Sequence, residues 1–540
     1  MKLASQNIDN LGLVAGMCDE IGLSDIIDQA CGTQAKNKHL TFGQCVKCMI
    51  LNGLGFVSRT LYLYSEYFED KPIDHFLNTA VEPGQIDDNV LDRTLDKLFS
   101  IGVTGLFTKI ALKTVKILGI QVNSLHLDST SFHVDGEYYS LLEQGESQIR
   151  LTQGYSRDHR PDLNQAVLQM ITSNQGNIPL FMQAASGNSE DKSAFAEIVE
   201  EHAKSFREAI NNRYLVGDSS LYTPRSLEEL HKADCLFVTR VPSRIKEVQE
   251  CINRSEHQEM QDLGNGYFGK KYSSTYAGVP QTWVTIFSEV GYARECKTLK
   301  KNYRKGSEKE CKTFMKLSKE VFQCEKDAWM HCNKAISKYK YLQVIDVEVI
   351  EVKKYPTVGR PKKHKPKEVV GYQIKGKPVC ILKAKQTLEN RKGYFVIATN
   401  DTRKEFTMRE ILDIYKSQQS VERGFRFLKS PDFLVSSFFL KKSERIEALL
   451  MVMTLCLLVY AAIEHKVRQK LRENGEKFLD QKKRATKSPT GRWIFFCFLG
   501  LHIVYVNGKK IQVTNLKERH RVILHCLGPP YQKIYYSELW

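Results

Sequence analysis

The chain has 540 residues, 42% of them hydrophobic and 26% charged. That is enough apolar material for several packed domains, and it excludes wholesale disorder. Lysine and arginine number 79 against 62 aspartate and glutamate, a formal charge of +17, which a partner carrying many phosphates would explain most simply, with an anionic membrane surface as the competing explanation.

The first ten residues, MKLASQNIDN, lack the hydrophobic core of a signal peptide. Residues 1–118 read as helical. Apolar residues recur at three and four spacing in Leu11–Ile21, Phe42–Leu54 and 90–118, with polar turns between them. Such helices ahead of a catalytic body suit a DNA-binding module and a plain bundle equally. The fourteen cysteines are scattered. Cys45 and Cys48 fall inside an apolar helical pattern, and Cys311, Cys324, His331 and Cys332 fit no compact zinc spacing. Free thiols in a reducing cytoplasm are the reading for all of them.

Near residue 120 the pattern changes. Residues 122–130 alternate as a strand, with His126, Asp128 and Thr130 on one face. An aspartate inside an apolar strand runs against propensity, and local rules fail where function overrides them. Strands follow at 166–172 and 178–184, joined by the turn at 173–177. A helix over 189–210 comes next, then a short strand, 214–218, ending on Asp218. A helix to about 232 and a strand at 235–239 complete the series. Strands joined by a hairpin are antiparallel and strands joined through a helix are parallel, so the sheet is mixed. Ligand sites in such sheets lie outside the carboxyl ends of the strands, where Asp218 stands; the Asp128 strand should lie centrally and beside the Asp218 strand.

Residues 241–390 break the rhythm and read as an insertion. It holds a strand at 283–290, a charged helical stretch at 295–338, and strands at 341–352 and 368–382. Between the last two, Gly359-Arg360-Pro361 with Lys362 and Lys363 resembles an AT-hook, whose Arg-Pro core lies in a narrow minor groove; a solvated basic loop is the plain alternative. A strand at 393–400 leads to a helix over 415–429, stopped by Pro431. On that helix Tyr415, Gln418, Glu422 and Lys429 fall within an arc of roughly 60°, with Ile411, Ile414, Val421 and Phe425 on or beside it. The expectation is a mostly apolar flank turned inward, carrying Glu422 with it, at a cost unless a salt bridge or a metal compensates. The apolar run 448–463 is short for a membrane span and reads as a buried core helix, with a membrane helix as the alternative. A basic linker, 482–487, and a strand-helix tail, 492–536, complete the chain.

Two aspartates on adjacent strands and a glutamate on a following helix form a candidate site in a basic protein. Three carboxylates converging cannot all ionise without a cation. Hard oxygen donors suit Mg²⁺ or Mn²⁺, and two such ions serve an in-line displacement at phosphorus. Against this, a single aspartate is usually a solvated charge, a cap or an ion-pair partner. Asp128 and Asp218 stand out through their apolar strands, and Glu422 through its helical face.

Tyr415, Glu422 and Lys429 fit the pattern Y-x2-R-x3-E-x6-K. Leu127-Asp128-Ser129-Thr130, Val216-Gly217-Asp218 and the segment from Gly154 to Leu163 accompany it. Together, across nearly the whole chain, they resemble the DDE transposases of bacterial insertion sequences, in the insertion-sequence-4 superfamily. The resemblance implies an α/β RNase H-like core, 119–240 and 391–475, interrupted by an insertion domain, 241–390. A helical N-terminal domain, 1–118, would help bind DNA ends, and a C-terminal region, 476–540, would follow. It implies that Asp128, Asp218 and Glu422 are catalytic and hold two Mg²⁺ ions, with Mn²⁺ able to substitute. Tyr415 and Lys429 would contact phosphates at the element's end, and the insertion would help hold that end. Water would first cut one strand, and the freed 3′-hydroxyl would attack next, in a hairpin step or in joining to target DNA.

The partners implied are the terminal inverted repeats and target DNA, bound by a homodimer in the cytoplasm, at the nucleoid and without a membrane. Gln418 stands where the family has arginine, and brings neither charge nor a bidentate fork, so the expectation is weaker end binding, or compensation from Arg423 or Arg426. The rivals are a catalytically inactive DNA-binding descendant and a structure-specific nuclease on the same fold.

Overall fold

The apolar spacings of the first hundred residues become helices, and the alternating stretches after residue 120 become strands. Both are seen in a computed structural model that describes residues 3–32, 39–56, 63–134, 149–156, 160–210, 214–255, 257–355, 366–430, 440, 442–507 and 509–536. The chain forms two compact units. The first is Met1–Arg240, Thr275–Gln281 and Ala398–Trp540, and the second is Val241–Ser274 and Thr282–Ile397.

In the first unit, the helices Leu11–Ile21, Phe42–Leu54, Asp88–Ile101 and Val103–Leu118 gather around one long helix, Ser443–Glu473. Local chemistry sets their ends. Thr41 and Gln44 form a reciprocal capping box at 3.0 and 3.1 Å, satisfying two amide donors that the helix leaves over. Gly22, at φ +69°, ends the first helix in the left-handed region that an L side chain resists. The long helix contains a window of mean hydropathy 2.4, long and apolar enough to cross a membrane, yet 83% of that window is buried inside the protein. Its polar ties are half-buried: Arg445 pairs with Asp92 and, at 2.6 Å, with Asp96, and Lys466 pairs with Glu20 at 2.5 Å.

One stretch read as helical is not. Leu3–Asn7 is a strand, paired antiparallel with His502–Val506, which pairs in turn with Lys509–Thr514. Its alternation spans only five residues, and its partner lies at the other end of the sequence, so no local pattern announces it.

The sheet of the first unit follows the expected series. Ser124–Val134, Asn164–Ser173 and Pro179–Ser186 are antiparallel neighbours, while Ser124–Val134, Tyr214–Gly217 and Leu236–Arg240 run parallel. The parallel crossovers are the helices Asp191–Ile210 and Pro224–Lys232. The Asp128 strand lies between the antiparallel and parallel halves, with ten of its eleven residues buried.

The second unit packs two helices, Glu289–Leu317 and Glu325–Ile336, against an antiparallel ribbon, Leu342–Lys354 with Glu368–Cys380. The cluster between these helices and the ribbon is small: Phe314, Ala328, Cys332, Val344 and Ile374. The charged stretch 295–338 is thus two helices, broken where Phe322 pairs with Tyr372. The strands Gln261–Gly264 and Tyr267–Tyr276, joined at the positive-φ pair Asn265-Gly266, were not anticipated. The AT-hook-like residues Arg360, Lys362 and Lys363 lie outside the described residues.

Candidate active site

The register of the parallel strands places the two aspartates. Leu127 pairs with Gly217, and Gly217 with Thr239, so Asp128, Asp218 and Arg240 follow at the next level of three neighbouring chains. Neighbouring strands in a ladder are about 4.8 Å apart. Asp128 is buried at 8% exposure, and its Oδ1 accepts from the Ser129 amide at 2.8 Å. Asp218 sits just past its strand, half-buried. Its Oδ1 accepts from the Ser220 amide at 2.8 Å, and its carbonyl accepts from the Thr239 hydroxyl at 2.7 Å. These bonds fix the turn that presents the carboxylate.

The expected 415–429 helix is in fact two. Met408–Lys416 ends at Ser417, and Gln419–Leu428 begins after Gln418. The interruption is slight, because Ser417 and Gln418 keep right-handed helical dihedrals. The Ser417 hydroxyl donates to the Ile414 carbonyl at 2.6 Å and lies 3.2 Å from His126 Nε2. His126 is fully buried and shares a strand face with Asp128. The second helix then runs along that strand. At its far end the Lys429 ammonium stands 5.6 Å from the centre of the Phe132 ring.

This alignment decides where Glu422 falls. Asp128 is two residues beyond His126, about 6.6 Å along the strand. Glu422 is five residues beyond Ser417, about 7.5 Å along the helix. The two carboxylates are therefore level. Gly424 packs on this face: a Cβ there would lie 3.0 Å from Leu457 Cδ2 and 3.3 Å from Met170 Cε, and Met170 is the direct strand partner of Asp128. The helix thus covers the Asp128 face of the sheet.

Glu422 itself is exposed, which corrects the expectation of a glutamate carried inward. Val421, Gly424, Phe425 and Leu428 take the buried face, and Glu422 stands at its edge. Tyr415 ends the first helix, half-buried. Burial raises its phenol above the usual range. The Arg240 charge and its hydrogen bond pull the other way, and the negative charges of Asp218 and Glu422 add to the rise. Tyr415 therefore lies within electrostatic reach of both carboxylates and of a guanidinium.

Gln418 is buried at 8% exposure in the joint between the helices. Arg423 and Arg426 are exposed and face a separate pocket with Arg492. The structure thus gathers Asp128, Asp218, Glu422, Tyr415 and Lys429 along one strand face and its neighbours. Sequence reasoning places His126 on the Asp128 face without a role, and misses Ser417 and Arg240. The signal for Arg240 was present, because it ends the parallel strand beside Asp218.

Carboxylate oxygens on adjacent strands, one of them buried, are the donor chemistry that a hard divalent cation takes. Among the described residues, however, no three His, Cys, Asp or Glu side chains stand close enough together to hold a metal ion. The donor set fits such an ion in kind, and the three carboxylates share one neighbourhood without closing on it.

Comparison with known proteins adds the following. A family model described as a transposase DDE domain matches residues 125–459, more than half of the chain. A second, described as a domain of unknown function, matches residues 3–112. No curated protein matches the chain. Among solved structures, the cryo-EM structure of a piggyBac transposase synaptic complex with hairpin DNA is similar at a TM-score of 0.38 and 10% identity, over 92% of this chain and 83% of that one. That likeness is too remote to carry a functional argument.

Proposed function

We propose, for a chain that belongs to the transposase DDE domain family, that it binds the terminal inverted repeats of its own element, cuts DNA there and joins the freed end to a target. The observation that carries this reading is the register that sets Asp128 beside Asp218, with the Glu422 helix packed on the Asp128 strand. The mixed strand and helix series around them is read as an RNase H-like core, and the second unit as the insertion that helps hold the DNA end.

Asp128 and Asp218 would hold Mg²⁺, or Mn²⁺ in its place, with Glu422 closing from the edge of its helix. Such ions, when bound, supply polarisation of the phosphate and activation of the attacking oxygen. The remaining work falls to the chain's own side chains. Lys429, anchored over Phe132, offers a point charge to a phosphate. Tyr415 offers a phenol aligned by Arg240. The charge missing at Gln418 is supplied from the sheet by Arg240, at the carboxyl end of its strand. Because two ends must be brought together, the working form is a homodimer on DNA.

A labelled fragment carrying the terminal repeat, incubated with Mg²⁺ or with EDTA, tests the reading. The expected result is a cut at the repeat boundary that EDTA removes. Binding without cutting, under Mn²⁺ as well, would establish the inactive DNA-binding descendant instead. Cutting without preference for the repeat would establish the nuclease.

Lys429→Ala is expected to weaken end binding several-fold and to reduce the slope of log affinity against log salt by about 0.9, the value of one phosphate contact on B-DNA. Titrations at three salt concentrations measure it; parallel lines for the two proteins would remove Lys429 from the interface.

A further inference from the structure

A second basic site lies in the first unit, on the other flank of the Glu422 helix. Arg423 and Arg426 on that helix and Arg492 in the first turn of Gly491–Cys497 open onto one pocket of about 250 Å³. Its remaining walls are mainly rings. Phe427 and Tyr460 lie 4.4 Å apart between centroids, and Phe56 stands 6.3 Å from Phe427 at right angles. None of the described residues lining the pocket is a carboxylate. Three guanidiniums around one small space raise the local positive potential, which favours an anion there.

The pocket is held in shape by close packing. A Cβ at Gly491 would lie 2.6 Å from Tyr460 Cζ, so only glycine lets the Arg492 helix approach that ring. Gly491 also donates its amide to Glu464, and Arg468 pairs with Glu464 at 2.6 Å. The Tyr460 phenol accepts from the Arg492 amide. The helix Gly491–Cys497 is thereby seated with its arginine at the pocket mouth, opposite Arg423 and Arg426.

We infer that this pocket holds one unpaired nucleotide of a DNA strand, its phosphate among Arg423, Arg426 and Arg492 and its base against the Phe427 and Tyr460 rings. The chemistry selects this ligand on three counts. Phosphate meets planar guanidinium forks bidentately. A base has a π-face that stacks on aromatic side chains, and it offers that face only when it is not stacked within a duplex. The volume lies below the ~300–1,000 Å³ of sites for drug-sized ligands, which suits a single nucleotide. The inference gives the C-terminal region a task, the completion of a strand-binding site next to the catalytic helix. It rests on the transposase reading only for the source of the strand.

The test measures the affinity of the full chain for three probes: a single-stranded oligonucleotide, the duplex of the same sequence, and a fragment of the element's end with an unpaired terminus. Arg492→Ala is expected to weaken single-strand binding about tenfold, the scale of one stacked and phosphate-bound nucleotide, and to change duplex binding by less than about twofold. Arg492→Lys should recover part of the loss. A thermal melt of each variant, expected to match the wild type because Arg492 is exposed, separates binding from folding. A 5-iododeoxyuridine placed in the unpaired terminus should cross-link to Phe427 or Tyr460. Unchanged single-strand affinity, an equal loss on both strand forms, or cross-links confined to other residues would overturn the inference. A single-strand result as expected, without preference for the element's end, would keep the pocket and overturn the transposase reading. Binding of the end fragment without any Arg492 effect would do the reverse.

Discussion

Asp128→Asn is expected to lower metal-dependent cleavage of the terminal fragment by at least about 10³-fold while end binding stays the same or tightens slightly. The loss follows from the position of the carboxylate. Asp128 is buried on an interior strand, one register step beyond the Leu127–Gly217 pair and level with Asp218. Asparagine keeps the shape but gives up the charge that a divalent cation needs from a hard oxygen donor. Metal polarisation of a phosphoryl group is a matter of several kcal/mol, and each 1.36 kcal/mol is tenfold in rate. The gain or neutrality in binding follows from the same charge, because removing a negative group near the phosphates favours DNA. The fold should survive, since the substitution is isosteric and relieves repulsion between two neighbouring carboxylates. Cleavage time courses with Mg²⁺, beside binding curves taken with Ca²⁺, provide the measurement. Wild-type cleavage by the variant would remove Asp128 from the metal site. A parallel fall in binding and cleavage would show instead that the substitution disturbs the fold.

The parts of this site that the sequence discloses are those that local rules govern. The alternation of residues 122–130 puts His126, Asp128 and Thr130 on one face. The hairpin and the two helical crossovers dictate which strands are antiparallel and which parallel, and hence that Asp128 and Asp218 are neighbours. Those relations hold in the structure. The helix that carries Glu422 was less legible because its geometry is set from outside. Helical periodicity continues through Ser417 and Gln418, and nothing in their propensities ends a helix there. The interruption coincides with the contact between Ser417 and His126, almost three hundred residues earlier in the chain. Once the helix restarts, its buried face is Val421, Gly424, Phe425 and Leu428, and Glu422 moves to the edge. The strand Leu3–Asn7 escaped for a similar reason: its partner, His502–Val506, lies at the far end of the sequence.

The same contact yields the second large effect. His126→Leu is expected to slow cleavage about 10²-fold with end affinity changed only a few-fold. His126 is fully buried, and burial pushes its pKa down to about 4, so the ring is neutral at pH 7. Ser417 spends its hydroxyl proton on the Ile414 carbonyl, so it can only accept from His126. The proton is therefore assigned to Nε2, which lies 3.2 Å from the Ser417 oxygen and 3.1 Å from that of Ser124. Leucine fills the space and gives no donor. Losing this bond in a buried place costs about 1–3 kcal/mol. Its larger consequence is geometric, because the joint that aims Tyr415 in one direction and Glu422 in the other is no longer pinned to the Asp128 strand. A displacement of about 1 Å in a positioning element can cost 10²-fold in rate. His126→Gln returns an N–H donor near the position of Nε2 and should recover part of the rate. Single-turnover cleavage and end-binding curves, both taken well below the melting temperature, separate the possibilities. Wild-type cleavage by His126→Leu would show that the joint is held by other contacts. Equal losses in binding and rate, with no recovery by glutamine, would show that His126 supports the fold and does not position the carboxylates.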